Sequence, residues 1–284
     1  MIDLHVHSNY SDGSCDVREI AEIAVDLNLK AIALTDHDRV DGVDELKNLL
    51  MHSQVELVSG MEISVQCGFD NSVATDKSAH ILLYFIDPNN SDLIYETKKL
   101  QQDRETRNDR LIESLNSCGV KVTLEDIALI AKNKGIGRPH FARYLVDNRY
   151  CSTMDEAFVE YLGTTGRAYI PKARLNLNDG VRIAKMAGGL AVLAHPFTVS
   201  EDLTELDDLF GQLKEIGFEG IEAYYGRYTK TGRKSLIDLA QEHGLVATGG
   251  SDFHGSFKAD LFIGTGTGDL AVDDSILDLL KARL

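Results

Sequence analysis

Short apolar runs alternate with helix-periodic segments along most of the chain, and this alternation restricts the fold more than any other feature of the sequence. Runs with strand character fall at Ile2–His7, Ala31–Leu34, within Val55–Val65, and at His80–Ile86, Leu190–Ala194, Gly220–Tyr225 and Leu245–Thr248. Between them, apolar residues recur at helical spacing. Val17, Ile20, Ala21, Ile23, Ala24 and Leu27 mark one helix face, opened by a capping pair of Asp16 and Glu19. Further helices are expected at Val43–Leu50, Val181–Ala187, Leu206–Ile216, Ser235–His243 and Ile276–Leu284. Strands joined by helices form parallel sheets. About seven of them in 284 residues favour an α/β chain closed into a (β/α) barrel.

The alternation breaks between Thr97 and Lys172, which reads as helix: Thr97–Ser117, Leu124–Asn133, Pro139–Asp147 and Met154–Leu162. Asn89-Asn90-Ser91 precedes it as a loop signal. This divides the chain into a barrel, 1–95 with 173–284, and an inserted all-helical cap, 96–172. Charge separates the two. Residues 97–172 hold 13 Lys+Arg against 10 Asp+Glu, and the remainder holds 16 against 35. The net charge of −16 makes duplex DNA and an anionic membrane poor partners. The longest uncharged stretch, Met186 to Ser200, is too short and polar to span a bilayer. The opening MIDLHVHSNYSDG lacks the charged and apolar regions of a secretory signal, and the four cysteines form no CxxC pair. A soluble cytoplasmic protein is expected.

The ionisable residues are concentrated at strand ends. His5 and His7 stand at i and i+2 of the first strand, so both side chains point to one face. Asp12 follows in a loop. Asp36 and His37 follow the second strand, Glu62 lies in the third, and His80 opens the fourth. His195 follows the fifth strand, and Asp252 and His254 follow the seventh. In a parallel barrel the carboxyl ends of the strands converge on one mouth. A lone histidine on an apolar strand is usually a core residue, but six of nine histidines beside four acids need another explanation. Imidazole and carboxylate are the usual ligands of Zn, Mn and Fe(II). So many ligands imply two or three metal ions.

HVHSNYSDG, TDHD, GMEIS, AHP and SDFHG together resemble the successive motifs of the PHP (polymerase and histidinol phosphatase) superfamily. The resemblance covers the barrel segments and implies a distorted (β/α)7 barrel with a trinuclear metal site. The helical insert, with its GRPHFAR segment, looks like that of bacterial PHP phosphoesterases acting on nucleoside 3′,5′-bisphosphates and AMP, some of which trim 5′ nucleotides from short RNA. Carried onto this chain, it implies that His5, His7 and Asp252 hold one metal and that Glu62 bridges to a second. His80 and His195 complete the second set, and Asp12, His37 and His254 hold a third. Asp36 is expected to orient His37 or a neighbour.

The chemistry so implied is phosphate monoester hydrolysis, with a metal-activated water attacking phosphorus in line. His254 is a candidate proton donor to the leaving group, although as a ligand it would be neutral and occupied. A dianionic nucleotide also needs cations away from the metals. Arg138, His140 and Arg143 offer them, with a phosphate expected at the helix start that Pro139 marks. Lys172, where the insert rejoins the barrel, and Tyr225 and Arg227, after the sixth strand, are further candidates. Arg104, Arg107 and Arg110 lie among Asp103, Glu105 and Asp109 and read as a solvated helix face. Histidinol-phosphate phosphatase is the nearest alternative activity. An amidohydrolase would bridge its metals with a modified lysine, where this chain has Glu62. A non-catalytic metal- or nucleotide-sensing module would be expected to have lost ligands, and none is missing.

Overall fold

The protein's structure, a computed structural model, describes residues 1–68, 78–132, 134–171 and 175–284. The expected strands form as β1 (Ile2–Val6), β2 (Ala31–Leu34), β3 (Glu56–Gln66), β4 (Ser78–Tyr84), β5 (Leu190–Leu193), β6 (Gly220–Tyr225) and β7 (Val246–Gly250). They make one sheet in sequence order. The sheet curls into a nearly closed barrel, because the segment after β7 meets β1. Asp252 N–H donates to the His5 carbonyl at 2.8 Å, and His7 N–H donates to the Phe253 carbonyl at 3.0 Å.

The expectation of an all-parallel sheet is corrected at one strand. β1–β2–β3 and β5–β6–β7 pair parallel, but β4 runs antiparallel to both neighbours. The link from Gln66 to Ser78 is shorter than a parallel crossover needs, so the chain doubles back. As a result β4 starts where its neighbours finish. His80 sits opposite Ser64 of β3, and its carbonyl accepts from Ala194 N–H at 3.0 Å. A histidine that opens its strand thus lies level with His37 and His195, which follow theirs.

Helices α1 (Val17–Asp26) and α2 (Asp41–Leu50) cover β1 and β2 through Val17, Ile20, Leu46 and Leu50, packed on Val6, Ile32 and Leu34. The Asp16–Glu19 capping box forms as expected. Helices α7 (Leu177–Met186), α8 (Leu203–Ile216) and α9 (Lys230–Glu242) cover the opposite side. Leu277 and Leu280 of α10 (Ser275–Lys281) join Ile2, Leu4, Tyr84 and Val192 at the end away from the mouth.

The interruption forms helices α3 (Ser91–Ser117), α4 (Leu124–Ile130), α5 (Arg138–Asp147) and α6 (Met154–Ala157), then a π-helical turn over Phe158–Leu162. Helix α3 starts earlier than apolar spacing suggests because Asn90 Oδ1 accepts from the Asp92 and Leu93 N–H groups, both at 3.0 Å. These helices bury an apolar cluster of their own, including Leu111, Leu115, Ile127, Phe141 and Leu145. Among the described residues, no helix is long and apolar enough to cross a membrane.

Candidate metal centre

Glu62 is the hub of the mouth. Its Oε1 lies 2.8 Å from His80 Nδ1 and 3.1 Å from His195 Nε2. Its Oε2 lies 3.1 Å from His7 Nε2, 3.2 Å from His37 Nδ1 and 3.5 Å from His5 Nε2. Asp252 Oδ1 stands 3.5 Å from both His5 Nε2 and His7 Nε2. Asp12 reaches His254 Nε2 at 3.5 Å, His7 Nδ1 at 3.6 Å and His37 Nε2 at 3.8 Å. All nine residues named as ligands therefore meet, although the chain separates His5 from His254 by almost its whole length.

The hydrogen bonds show which nitrogens face inward. His5 Nδ1 meets Glu222 Oε1 at 2.8 Å, His195 Nδ1 meets Thr198 Oγ1 at 3.0 Å, and His254 Nδ1 meets the Asp252 carbonyl at 2.9 Å. Thr198 Oγ1 already donates to the His195 carbonyl, so it accepts from the ring. In each case the partner can take the Nδ1 hydrogen, which leaves Nε2 pointing at a carboxylate or a second imidazole. His5 Nε2 and His7 Nε2 face each other at 3.1 Å. Lone pairs aimed at carboxylates repel them unless a cation lies between. Among the described residues, His7 Nδ1 and His37 Nδ1 are buried and have no hydrogen-bond partner. These donors fit divalent cations, in a mixed nitrogen and oxygen set.

Electrostatics point the same way. Burial alone would raise the Glu62 carboxyl, but the His37, His80 and His5 imidazoles outweigh burial and hold it well below the usual range. Asp12 and Asp252 are likewise buried, and their neighbours overcome that burial and hold them low: the His37 and His254 imidazoles for Asp12, Lys258 and the His5 imidazole for Asp252. Burial and the adjacent His254 push His7 down to about 4. Glu62, Asp12 and Asp252 are thus held charged and His7 neutral, as metal ligation requires, whereas His5, despite its burial, is raised by Glu222, Asp252 and Glu62.

The donor atoms cluster in three groups: His5, His7 and Asp252; His7, Asp12, His37 and His254; and His37, Glu62 and His80. The first matches the expected set. The second adds His7 to its expected set. In the third, His37 takes the place expected of His195, which shares Glu62 Oε1 with His80.

The remaining candidates divide. Tyr225 is at the site: its hydroxyl donates to Asp252 Oδ2 at 2.8 Å. Arg138 lines a small cleft with Arg107, Tyr169 and His80. His140 is buried, its Nδ1 accepts from Gly137 N–H at 3.0 Å, and its ring meets Phe257 edge-on at 4.9 Å. The phosphate expected at the start of α5 has little backbone to bind. Pro139 has no N–H, and His140 N–H donates to the Gly137 carbonyl at 3.1 Å. Arg143 is turned away, exposed and paired with Asp147 at 2.9 Å. Arg227 is paired with Asp260 at 2.7 Å. Lys172 lies outside the described residues. Asp36 touches none of the imidazoles. It accepts from Ser8 N–H, the Ser8 hydroxyl and the Ser11 hydroxyl at 2.8, 2.6 and 2.5 Å, fixing the loop that carries Asp12.

The reading of the α3 arginines as a solvated face is overturned for two of the three. Arg107 is buried, and Arg104 reaches in to bond Asp38 Oδ2 at 2.5 Å. Burial, Arg104 and Arg138 all push the Arg107 guanidinium below its ordinary value, and Arg107 shares the small cleft with Arg138. Glu222 and Lys258 escaped sequence reasoning as well. An acid inside the otherwise apolar GIEAYY strand was a usable signal for the first; nothing local marks the second, which meets Asp252 Oδ2 at 2.5 Å. Beside the imidazoles, a cavity of about 400 Å³ opens between His37, Ser11, Arg39, Arg104, Lys134 and Ile136.

Comparison with known proteins agrees with this geometry. A profile of the PHP domain matches residues 3–168. The chain is 31% identical over 254 residues to a 3′,5′-nucleoside bisphosphate phosphatase of Chromobacterium violaceum, covering 89% of this chain and 87% of the relative. It is 29% identical over 255 residues to a 5′-3′ exoribonuclease of Haemophilus influenzae, covering 89% of each. A solved structure from Bifidobacterium adolescentis, of a chain proposed to be a metal-dependent phosphoesterase, superposes with a TM-score of 0.85 at 28% identity, covering 99% of this chain and 96% of that one. A barrel whose mouth gathers histidines and acids, matched along most of its length by such relatives, makes this chain a member of the PHP family and a hydrolase of phosphoric ester bonds.

Proposed function

We propose that the chain hydrolyses phosphate monoesters of nucleotides: AMP, a nucleoside 3′,5′-bisphosphate or the 5′ end of a short RNA. Two or three divalent ions, Mn, Fe or Zn, would be held by His5, His7, Asp12, His37, Glu62, His80, His195, Asp252 and His254. Such ions supply Lewis acidity and an activated water when bound. The carrying observation is that these donors surround Glu62 while Arg104, Arg107 and Arg138 stand on the helical side of the same mouth.

On this reading the work of the chain's own side chains is division of charge. Arg107 and Arg138 beside His80 neutralise phosphate oxygens that the metals do not reach. The 400 Å³ cavity takes the nucleoside, with Leu124 and Ile136 as its apolar wall and Lys134 over the Tyr10 ring at 4.0 Å at its edge. Tyr225 and Lys258 engage Asp252 Oδ2, which leaves Oδ1 turned to the imidazoles. His254 is a poor proton donor, since its Nδ1 hydrogen goes to the Asp252 carbonyl. Residues 96–172 act as a cap over the barrel, and Asp36 acts by fixing the Ser8–Asp12 loop.

The test is phosphate release with Mn²⁺ from AMP, 3′,5′-bisphosphoadenosine, a 5′-phosphorylated RNA dinucleotide, histidinol phosphate and a cyclic phosphodiester. Activity on the nucleotides that disappears in His195→Ala is the expected result. Turnover of histidinol phosphate or the cyclic diester alone would replace the substrate. Silence on the whole panel in metal-loaded protein would favour a sensor.

A further inference from the structure

We propose that Glu222 is a positioning residue for the metal centre: one buried carboxylate that fixes the ring of His5 and the backbone of His195. The inference rests on the reading of these histidines as ligands. Glu222 lies in the middle of β6 and is fully buried. Its strand neighbours Ile221 and Ala223 pack in the cluster under α7 and α8, which turns Glu222 to the barrel interior. There its two oxygens serve two different elements. Oε1 meets His5 Nδ1 at 2.8 Å, and Oε2 accepts from His195 N–H at 2.9 Å.

Each contact constrains one candidate ligand. An ionised carboxylate only accepts hydrogen bonds, so His5 carries its hydrogen on Nδ1. The Nε2 lone pair is then committed to the side where Glu62 and Asp252 stand, each at 3.5 Å. His195 has φ 28° and ψ 64°, a backbone conformation that residues with side chains rarely adopt. With its N–H held by Glu222 and its Nδ1 held by Thr198, Nε2 is kept 3.1 Å from Glu62 Oε1. Without Glu222, that turn is free to relax and carry the imidazole away.

Among the described residues no lysine or arginine pairs with Glu222, and its ion-pair partner is His5. A carboxylate on the Nδ1 side of His5 would make its Nε2 a stronger donor to an ion held there.

Chelator competition with Mn²⁺ tests this, alongside metal content per chain. In Glu222→Gln, affinity for at least one ion should fall about 10- to 100-fold, as removing such a partner does. kcat should fall with the lost ion and recover as Mn²⁺ is raised, while KM stays constant. Glu222→Asp keeps the charge but is too short to serve both partners, and should lie between. Affinity in Glu222→Gln within threefold of the unaltered chain would overturn the proposal. Long-range ¹H–¹⁵N spectra of the zinc-loaded, histidine-labelled chain give a second readout without any variant: His5 should be protonated at Nδ1, and protonation at Nε2 would overturn the proposal even if the variants fail to fold. Absence of tight Mn²⁺ binding in the unaltered chain would instead sink the ligand reading itself.

Discussion

Two acids near the mouth do opposite work, and the difference is set by what surrounds them. Glu62 is ringed by imidazoles and stays charged. Asp36 is ringed by serine hydroxyls and one N–H, and burial outweighs those bonds, pushing its carboxyl from 3.8 up to about 6. In the metal-free chain the native state therefore binds a proton that the unfolded chain has lost, between about pH 4 and 6. The contribution of Asp36 to stability should fall as pH rises through that window. Displacement from 3.8 to about 6 is worth about 3 kcal/mol. Asp36→Asn, which cannot ionise, should gain on the unaltered chain by about that much from pH 4 to 6.5. Urea unfolding of both metal-free proteins across that range measures the difference; a constant gap would mean that Asp36 is not the titrating group.

At the scale of elements, the insert reaches the metal centre by backbone contact as well as by side chains. A Cβ on Gly135 would collide with the Tyr10 carbonyl oxygen, and one on Gly137 would stand 2.8 Å from Asp12 Cβ. The glycines of GIGRPH are thus required for close approach of the insert to the loop that carries Asp12. Gly135→Ala should push that loop aside. We expect kcat/KM to fall at least 10-fold, with a loss of about 1–3 kcal/mol in stability typical of overpacking. Arg138→Ala touches the other arm of the insert, beside Arg107 and His80. It should raise KM for nucleotides about 10-fold or more while metal content is unchanged. An unaltered KM for every phosphorylated substrate would remove the insert from substrate binding.

For the molecule as a whole, the metal centre and barrel closure are one structure. His5 and His7 stand in and just after β1, and Asp252 follows β7. These are also the residues whose backbone bonds close the barrel. Removing the metals should therefore loosen the closure. An ion present at about 1,000 times its Kd stabilises by about 4 kcal/mol. In a chain of 284 residues that corresponds to a fall in Tm of roughly 7 °C on chelation. Differential scanning fluorimetry with EDTA, then with Mn²⁺ restored, checks this. A Tm indifferent to both would mean that no ion stabilises the native state.

Strand and helix periodicity, the HxH spacing of His5 and His7 and the acids and histidines at strand ends were all readable from the sequence, because each is a local pattern with a fixed repeat. Three things were not. The reversal of β4 depends on which strands pair, and no local period encodes a partner's direction. The inward turn of Arg104 and Arg107 was hidden by the acids around them, since only the packing of α3 against Asp38 decides which face is covered. Glu222 takes its meaning from His5 and His195, residues far from it along the chain, and Lys258 from how the turn after β7 folds back on Asp252. The sequence by itself determined the barrel's elements and the identities of the donors. Their distances, the hydrogens they carry and the cations that face them were decided by tertiary structure, because those quantities belong to pairs of residues that meet only when the barrel closes.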